Sequence, residues 1–169
     1  MKRAGSLLRL ALDPAAVMAA TGRPPDPWQS EFLRAAADGN GFRGLLLTSR
    51  QAGKSTTVAS LAVWWALVRP RHDVVVIAPT LWQASEIIVK ARDVAVALGL
   101  RLVRDAAKTI VLANGGRIMA LAGRGQVRGP TAGLVIVDEG AWLPDQVMTA
   151  TVMPMLAAVP GGGALVAAS

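Results

Sequence analysis

The sequence predicts an α/β fold, a parallel sheet flanked by helices. Three observations lead there. Leu45-Leu46-Leu47, Val74-Val75-Val76-Ile77, Leu134-Val135-Ile136-Val137 and Ala164-Leu165-Val166-Ala167 are short, continuous apolar runs, the pattern of strands covered on both faces. Segments with helical spacing lie between them, and strand alternating with helix builds a parallel sheet. Finally, 53 % of the 169 residues are hydrophobic and only 17 % charged, against about 25 % charged in an ordinary soluble domain. That composition suits a heavily buried sheet and excludes a disordered chain.

In chain order, residues 1–25 read as an N-terminal arm or short helix. Lys2 and Arg3 ahead of Leu7 and Leu8 hint at a secretory signal, but Arg9 and Asp13-Pro14 interrupt the apolar core it would need. The cluster Gly22-Arg23-Pro24-Pro25-Asp26-Pro27 separates this segment from 26–169, which is long enough for one domain. Asp26 predicts an N-cap with Pro27 in the first helical position, and a helix through Trp28, Gln29, Phe32 and Leu33 that Asp38-Gly39-Asn40-Gly41 ends. The first apolar run leads into a helix over 55–68, with Val58, Leu61, Ala62 and Trp65 on one face. The second leads into a helix opened by a Thr80/Gln83 capping box and striped by Ala84, Ile87, Ile88, Ala91 and Leu98. Asn114-Gly115-Gly116 predicts a hairpin between 109–112 and 117–121. The uncharged stretch 146–169 is broken by Pro154, Pro160 and three glycines, so no membrane span is expected.

The chain carries 18 basic and 11 acidic residues, no cysteine and one histidine. A net charge of +7 suits phosphate-bearing partners, nucleic acid among them, and serves solubility equally well. Without cysteine there are no disulfides, thiolate zinc sites or cysteine nucleophiles, and one histidine argues against a histidine-based triad.

Two motifs carry chemistry. Ser49-Arg50-Gln51-Ala52-Gly53-Lys54-Ser55-Thr56 follows the first strand and opens a helix, the context of a phosphate-binding loop. Gly53 would let the backbone approach the phosphates, and the helix N-terminus offers free N–H groups. Lys54 would reach the β- and γ-phosphates, and Ser55 would hold Mg²⁺ through its hydroxyl. Thr48 stands where the usual pattern has its first glycine. The second motif is Asp138-Glu139, delivered by an apolar strand to its C-terminal end, the edge where open α/β sheets bind ligands. Asp138 would orient Mg²⁺ or its waters. Glu139 would align and polarise the attacking water.

Together, Asp26-Pro27-Trp28-Gln29, the arginine-bearing loop 49–55, Ala78-Pro79-Thr80 and Val137-Asp138-Glu139 resemble the N-terminal ATPase domain of tailed-phage terminase large subunits, terminase-6-like, over about 26–169. The resemblance implies a P-loop NTPase fold of the additional-strand (ASCE/RecA-like) type, with strand 164–167 between strands 45–47 and 134–137. It implies Mg²⁺-dependent ATP hydrolysis that drives double-stranded DNA into a viral procapsid, in the cytoplasm of an infected or lysogenic bacterial host. It also implies a ring of subunits docked on a portal protein, and a small terminase subunit for DNA recognition. The family's C-terminal RNase H-like nuclease domain is expected to be absent, since no acidic cluster follows Asp145, and the ATPase domain is expected to be incomplete at Ser169.

By the same resemblance Gln29 reads the adenine edge, with helix capping as its other reading, and Trp28 covers the base or belongs to the core. Arg50 approaches the γ-phosphate, or is a salt-bridged structural arginine. The loop residues Ser49, Arg50, Gln51, Ala52, Gly53, Lys54, Ser55 and Thr56 cradle the nucleotide, while Glu139, Lys54 and Arg50 are the expected catalytic set. Gly140 replaces the alanine common after the paired carboxylates.

Arg124 and Arg128, in the loop before the carboxylate strand, would touch DNA phosphate or a neighbouring subunit's nucleotide, or are simply solvated. His72 reads as a turn residue without chemistry, and Trp64, Trp65, Trp82 and Trp142 as core or helix-packing residues. Two other functions fit the motifs: a superfamily-two helicase or translocase, and a truncated nucleotide-binding remnant that does not hydrolyse.

Overall fold

The computed structural model describes residues 8–39, 41–49, 52–124 and 130–169. Their elements run α1 (Pro14–Ala19), α2 (Pro27–Ala37), β1 (Arg43–Leu46), α3 (Lys54–Val68), β2 (Asp73–Ala78), α4 (Leu81–Ala97), β3 (Leu102–Ala106), β4 (Thr109–Leu112), β5 (Arg117–Ala122) and β6 (Ala132–Asp138). A short helical stretch of α and π turns over 145–157 precedes β7 (Ala164–Ala168). The strands form one sheet in the order β1-β7-β6-β2-β5-β4-β3. β1, β7, β6, β2 and β5 are mutually parallel, and β4 and β3 join antiparallel. β7 therefore lies between β1 and β6, as expected.

The continuous apolar runs follow from helical cover on both faces. In β2, Val74 and Val76 point into one core with α3 and α4, while Val75 and Ile77 point into a second core with Leu143, Val152, Met155 and Leu156. In β6, Leu134 and Ile136 share the first core and Val135 and Val137 the second, as the two-residue period of a strand requires. The first core is larger because α3 runs through it: every residue from Thr57 to Ala66 is buried, so this helix is enclosed all round rather than striped. Helical residue Leu10 and the α1 residues Ala15, Ala16, Val17 and Met18 join the same core, and Trp64 Nε1 donates to the Ala11 carbonyl at 3.1 Å.

Two expectations need correction, and one strand was not expected. β1 is not covered on both faces: Leu46 is buried, but Leu45 and Leu47 are 62 % and 68 % exposed. β1 is an edge strand, and the second-face cover built from 143–156 packs on β6 and β2 without enclosing it. Trp82 and Trp142 are not core residues; they are 72 % and 77 % exposed, because each sits in the first turn after a strand leaves the C-terminal edge of the sheet. Finally, β3 gave no sign in the sequence. It is an antiparallel edge strand, Leu102-Val103-Arg104-Asp105-Ala106, with a charged pair at its centre, mostly exposed and held to α4 by an Arg92–Asp105 ion pair.

Candidate nucleotide site at the C-terminal sheet edge

β1 ends at Leu46, and the chain turns through Thr48 and Ser49 to Gly53, the N-cap of α3. Gly53 has φ +84°, and a Cβ there would stand 2.7 Å from Gln29 Nε2. Both facts require glycine: the left-handed backbone disfavours a side chain, and the space is taken. The turn is closed by Ala52 N–H donating to the Ser49 carbonyl at 3.3 Å. Ala52, Gly53, Lys54, Ser55 and Thr56 are half-buried, and Ser49 is exposed. Arg50 and Gln51 lie outside the described residues, as does Arg128; Arg124 is exposed.

Gln29 is built into this loop rather than standing beside it. It is 3 % exposed. Its Oε1 accepts from the Asp26 N–H at 2.8 Å, which caps α2, and its Nε2 donates to Thr57 Oγ1 at 3.0 Å. The Thr57 hydroxyl in turn donates to the Gly53 carbonyl at 3.0 Å. Three hydrogen bonds thus tie the start of α2 to the glycine of the loop. The capping contact is present, yet an amide has two donor hydrogens and two lone pairs at oxygen, so one N–H and one acceptor site on Gln29 are not used by these bonds. Trp28 is half-buried against the first core.

The carboxylates arrive from β6. Leu46, Ala168 and Asp138 occupy one row across β1, β7 and β6, which sets the backbones of Leu46 and Asp138 about 10 Å apart, two strand spacings. The phosphate loop and the acidic pair therefore face each other across the end of β7. Glu139 has φ 52° and ψ 43°, and among the described residues no other non-glycine residue has positive φ. A left-handed glutamate costs about 1–2 kcal/mol. Such strain is found where a side chain must be aimed. At Gly140 a Cβ would come within 3.2 Å of Val137 Cγ1, so the alanine usual in the resembling family would need a small shift of that valine.

Burial pushes the Asp138 carboxyl above its ordinary value, and the adjacent Glu139 charge adds to the effect; the Glu139 backbone N–H and the ammonium groups of Lys54 and Lys90 oppose it. Lys54 and Asp138 are thus close enough to feel each other's charge. The sequence did not single out Thr57, Lys90 or the hydroxyl of Thr48. Thr48 Oγ1 is buried without a hydrogen-bond partner among the described residues. A signal for Thr57 existed, since a threonine inside an otherwise apolar helix needs a partner; nothing marked Lys90 among the other charges of α4.

A raised pKa has a defined consequence for stability. The contribution of Asp138 is fully present below its unfolded value, near 3.8, and is lost as pH rises through the higher folded value. At neutral pH the ionised group therefore burdens the ligand-free fold. Asp138→Asn is expected to raise stability at neutral pH and to leave it little changed well below pH 3.8, measured by urea denaturation from neutral pH down to that acid range. A neutral-pH loss would show that burial is not what governs this carboxyl.

The donor set fits Mg²⁺. A hydroxyl, Ser55, at a helix N-terminus and one half-buried carboxylate, Asp138, are hard oxygen ligands of the kind this ion uses alongside waters and phosphate. A carboxylate whose pKa partial burial and a neighbouring negative charge raise is one that a cation would relieve. Among the described residues no three His, Cys, Asp or Glu side chains gather into a metal cluster, and no helix is long and apolar enough to cross a membrane.

The family model described as "Terminase large subunit, T4likevirus-type, N-terminal" matches residues 45–154, which include the glycine-lysine loop and both carboxylates. The chain belongs to this terminase family. No curated protein matches it. Among solved structures, the large terminase ATPase domain of Thermus phage P74-26 superposes with a TM-score of 0.70 at 21 % identity, covering 88 % of this chain and 66 % of that one. The large terminase of bacteriophage HK97 gives 0.66 at 21 % identity, covering 87 % and 34 %. A large terminase from a thermophilic bacteriophage, solved in complex with ADP, gives 0.63 at 16 % identity, covering 85 % and 38 %. At these identities the likeness establishes the fold, a P-loop sheet of the terminase ATPase kind. This terminase chain spans about two thirds of the Thermus phage domain and about a third of the HK97 protein.

Proposed function

We propose that this chain is the ATP-hydrolysing part of a phage DNA-packaging motor, using Mg²⁺·ATP to move double-stranded DNA into a procapsid. The observation that carries the reading is the row Leu46, Ala168, Asp138, which sets a glycine-capped helix N-terminus against two carboxylates in a member of the terminase family. The N–H groups at the start of α3 and the Lys54 ammonium bind the phosphates. The Thr48 hydroxyl, buried at the head of the loop without a partner among the described residues, is a donor that a phosphate oxygen would satisfy. Mg²⁺ held by Ser55 and Asp138 would neutralise charge on the β- and γ-phosphates. Glu139 aligns the attacking water and takes its proton, Arg50 stabilises charge developing on the γ-phosphate, and no covalent intermediate is needed.

Gln29, with one amide N–H and one acceptor position left over, reads the adenine edge while holding the loop. Gln29→Ala is then expected to do two things. It removes the bonds to Asp26 and Thr57 and should cost about 1–3 kcal/mol of stability, read by denaturation. It should also bring the affinity ratio of ATP over inosine triphosphate close to one. An unchanged ratio would leave Gln29 a purely structural role.

The motor's partners follow from the same reading: double-stranded DNA, a portal protein, a small terminase subunit and other copies of the chain in a ring, in the host cytoplasm. The direct test is calorimetric titration of the 169-residue chain with ATP, with and without Mg²⁺. Saturable binding that weakens when Mg²⁺ is withheld supports the proposal, and no binding under either condition overturns it. Turnover by the isolated chain is expected to be weak or absent, because neighbouring subunits are missing.

A further inference from the structure

A cavity of about 550 Å³ opens at the sheet edge opposite the nucleotide site. Its walls are the end of α3, the turn 70–72 into β2, Gly133 at the start of β6 and the turn before β7. All three of these strands are parallel, so the cavity faces their N-terminal ends and the phosphate loop the other edge. Its volume falls within the roughly 300–1,000 Å³ of small-molecule sites.

The polar groups lining it are of one kind. Arg69, Arg71 and His72 line the cavity, and among the described residues no acidic one does. Arg69 is held in place: its guanidinium lies 4.4 Å from the Trp65 ring centroid, and its Nη2 donates to the Ala37 carbonyl at 2.9 Å. Arg71 is exposed and His72 half-buried. Trp65, 1 % exposed, also lines the cavity, and its indole Nε1 has no acceptor among the described residues. A buried indole N–H ordinarily finds one. The same nitrogen and the His72 side chain close on Gly133, where a Cβ would meet them at 2.8 Å and 2.5 Å. Gly133 therefore packs directly against the indole nitrogen and the His72 Cβ, with no room for a side chain between them. Val68, Pro70, Val159 and Pro160 supply the apolar wall.

We propose that this cavity binds a small organic anion, whose apolar body lies against Val68 and Pro160 and whose carboxylate or phosphate accepts from the Trp65 indole N–H, Arg71 and His72. A bound anion would brace the last turn of α3, the helix that begins at Lys54. Fifteen residues place the two ends about 22 Å apart, so the site is separate from the nucleotide.

The test is ¹⁵N NMR of the 169-residue chain, following the Trp65 indole N–H, assigned by its loss in Trp65→Phe. Benzoate and phenyl phosphate are the anionic probes, benzamide the neutral one and inorganic phosphate the anion without an apolar body. Saturable displacement of the Trp65 signal by benzoate or phenyl phosphate, with affinity falling about tenfold in Arg71→Ala and in His72→Gln, supports the site. Whichever probe binds tighter identifies the head group as carboxylate or phosphate. Equal binding of benzamide, inorganic phosphate binding as tightly as phenyl phosphate, unchanged affinity in both variants, or no saturation by any probe would each overturn it. Should Trp65→Phe fail to fold, the variants at Arg71 and His72, on the turn outside the core, still decide the matter.

Discussion

Glu139→Gln in the assembled motor should lower ATP turnover by about 10²–10⁴ while nucleotide affinity stays at the wild-type level. The substitution is nearly isosteric, so the left-handed backbone at φ 52° and the direction of the side chain persist; only the proton-accepting charge disappears. Steady-state kcat and calorimetric affinity, measured on the same preparation, separate the two effects. Retained turnover would remove Glu139 from the chemistry. Glu139→Gly is the informative companion. It should also abolish turnover, yet stabilise the fold by about 1–2 kcal/mol by releasing the left-handed strain. A variant that gains stability and loses all activity would show that the strain serves aim rather than packing.

How much of this was legible beforehand depends on what each element is packed against. β2 and β6 were plain in the sequence because both their faces are covered, which forces an unbroken apolar run such as Val74-Val75-Val76-Ile77. The position of β7 came from family resemblance; nothing in Ala164-Leu165-Val166-Ala167 itself says which strands it separates. β1 shows the limit of the same rule. The leucine run 45–47 in and just after it reads as doubly buried, but an edge strand keeps one face open, and a leucine does not encode which. β3 was invisible because its stability comes from pairing with β4 and from Arg92–Asp105, neither of which leaves an apolar pattern. Trp82 and Trp142 misled in the opposite direction: residue type favours burial, and only their place just beyond strand ends exposes them.

At the site, the residue types were legible and their wiring was not. Gly53, Lys54, Ser55, Asp138 and Glu139 stand out by spacing alone. That Gln29 bonds Asp26 and Thr57 at once depends on a contact between residues 28 positions apart in the sequence, which no local pattern carries. Capping by Gln29 is observed, and it leaves one amide N–H and one acceptor position that the bonds to Asp26 and Thr57 do not use.

Lys54→Ala is expected to abolish turnover and weaken ATP binding by about ten- to a hundredfold, the value of a charged hydrogen bond. Its second effect distinguishes this site from a generic phosphate loop. Lys54 is one of the groups that hold the Asp138 carboxyl down against burial and the Glu139 charge. Without it the folded value of Asp138 rises further, and the ionised carboxylate weighs more heavily on the ligand-free fold at neutral pH. Lys54→Ala should therefore destabilise the protein at neutral pH and much less well below pH 3.8, where Asp138 is protonated in folded and unfolded states alike. In the Asp138→Asn background the same substitution should cost almost nothing in stability, because the charge it balanced is gone, while ATP binding stays impaired. Denaturation of the four proteins of this cycle at two pH values reads the coupling directly. An equal cost in both backgrounds would mean that Lys54 and Asp138 do not act on each other across the end of β7, and the pairing of phosphate loop and carboxylate on which the ATPase reading rests would fail with it.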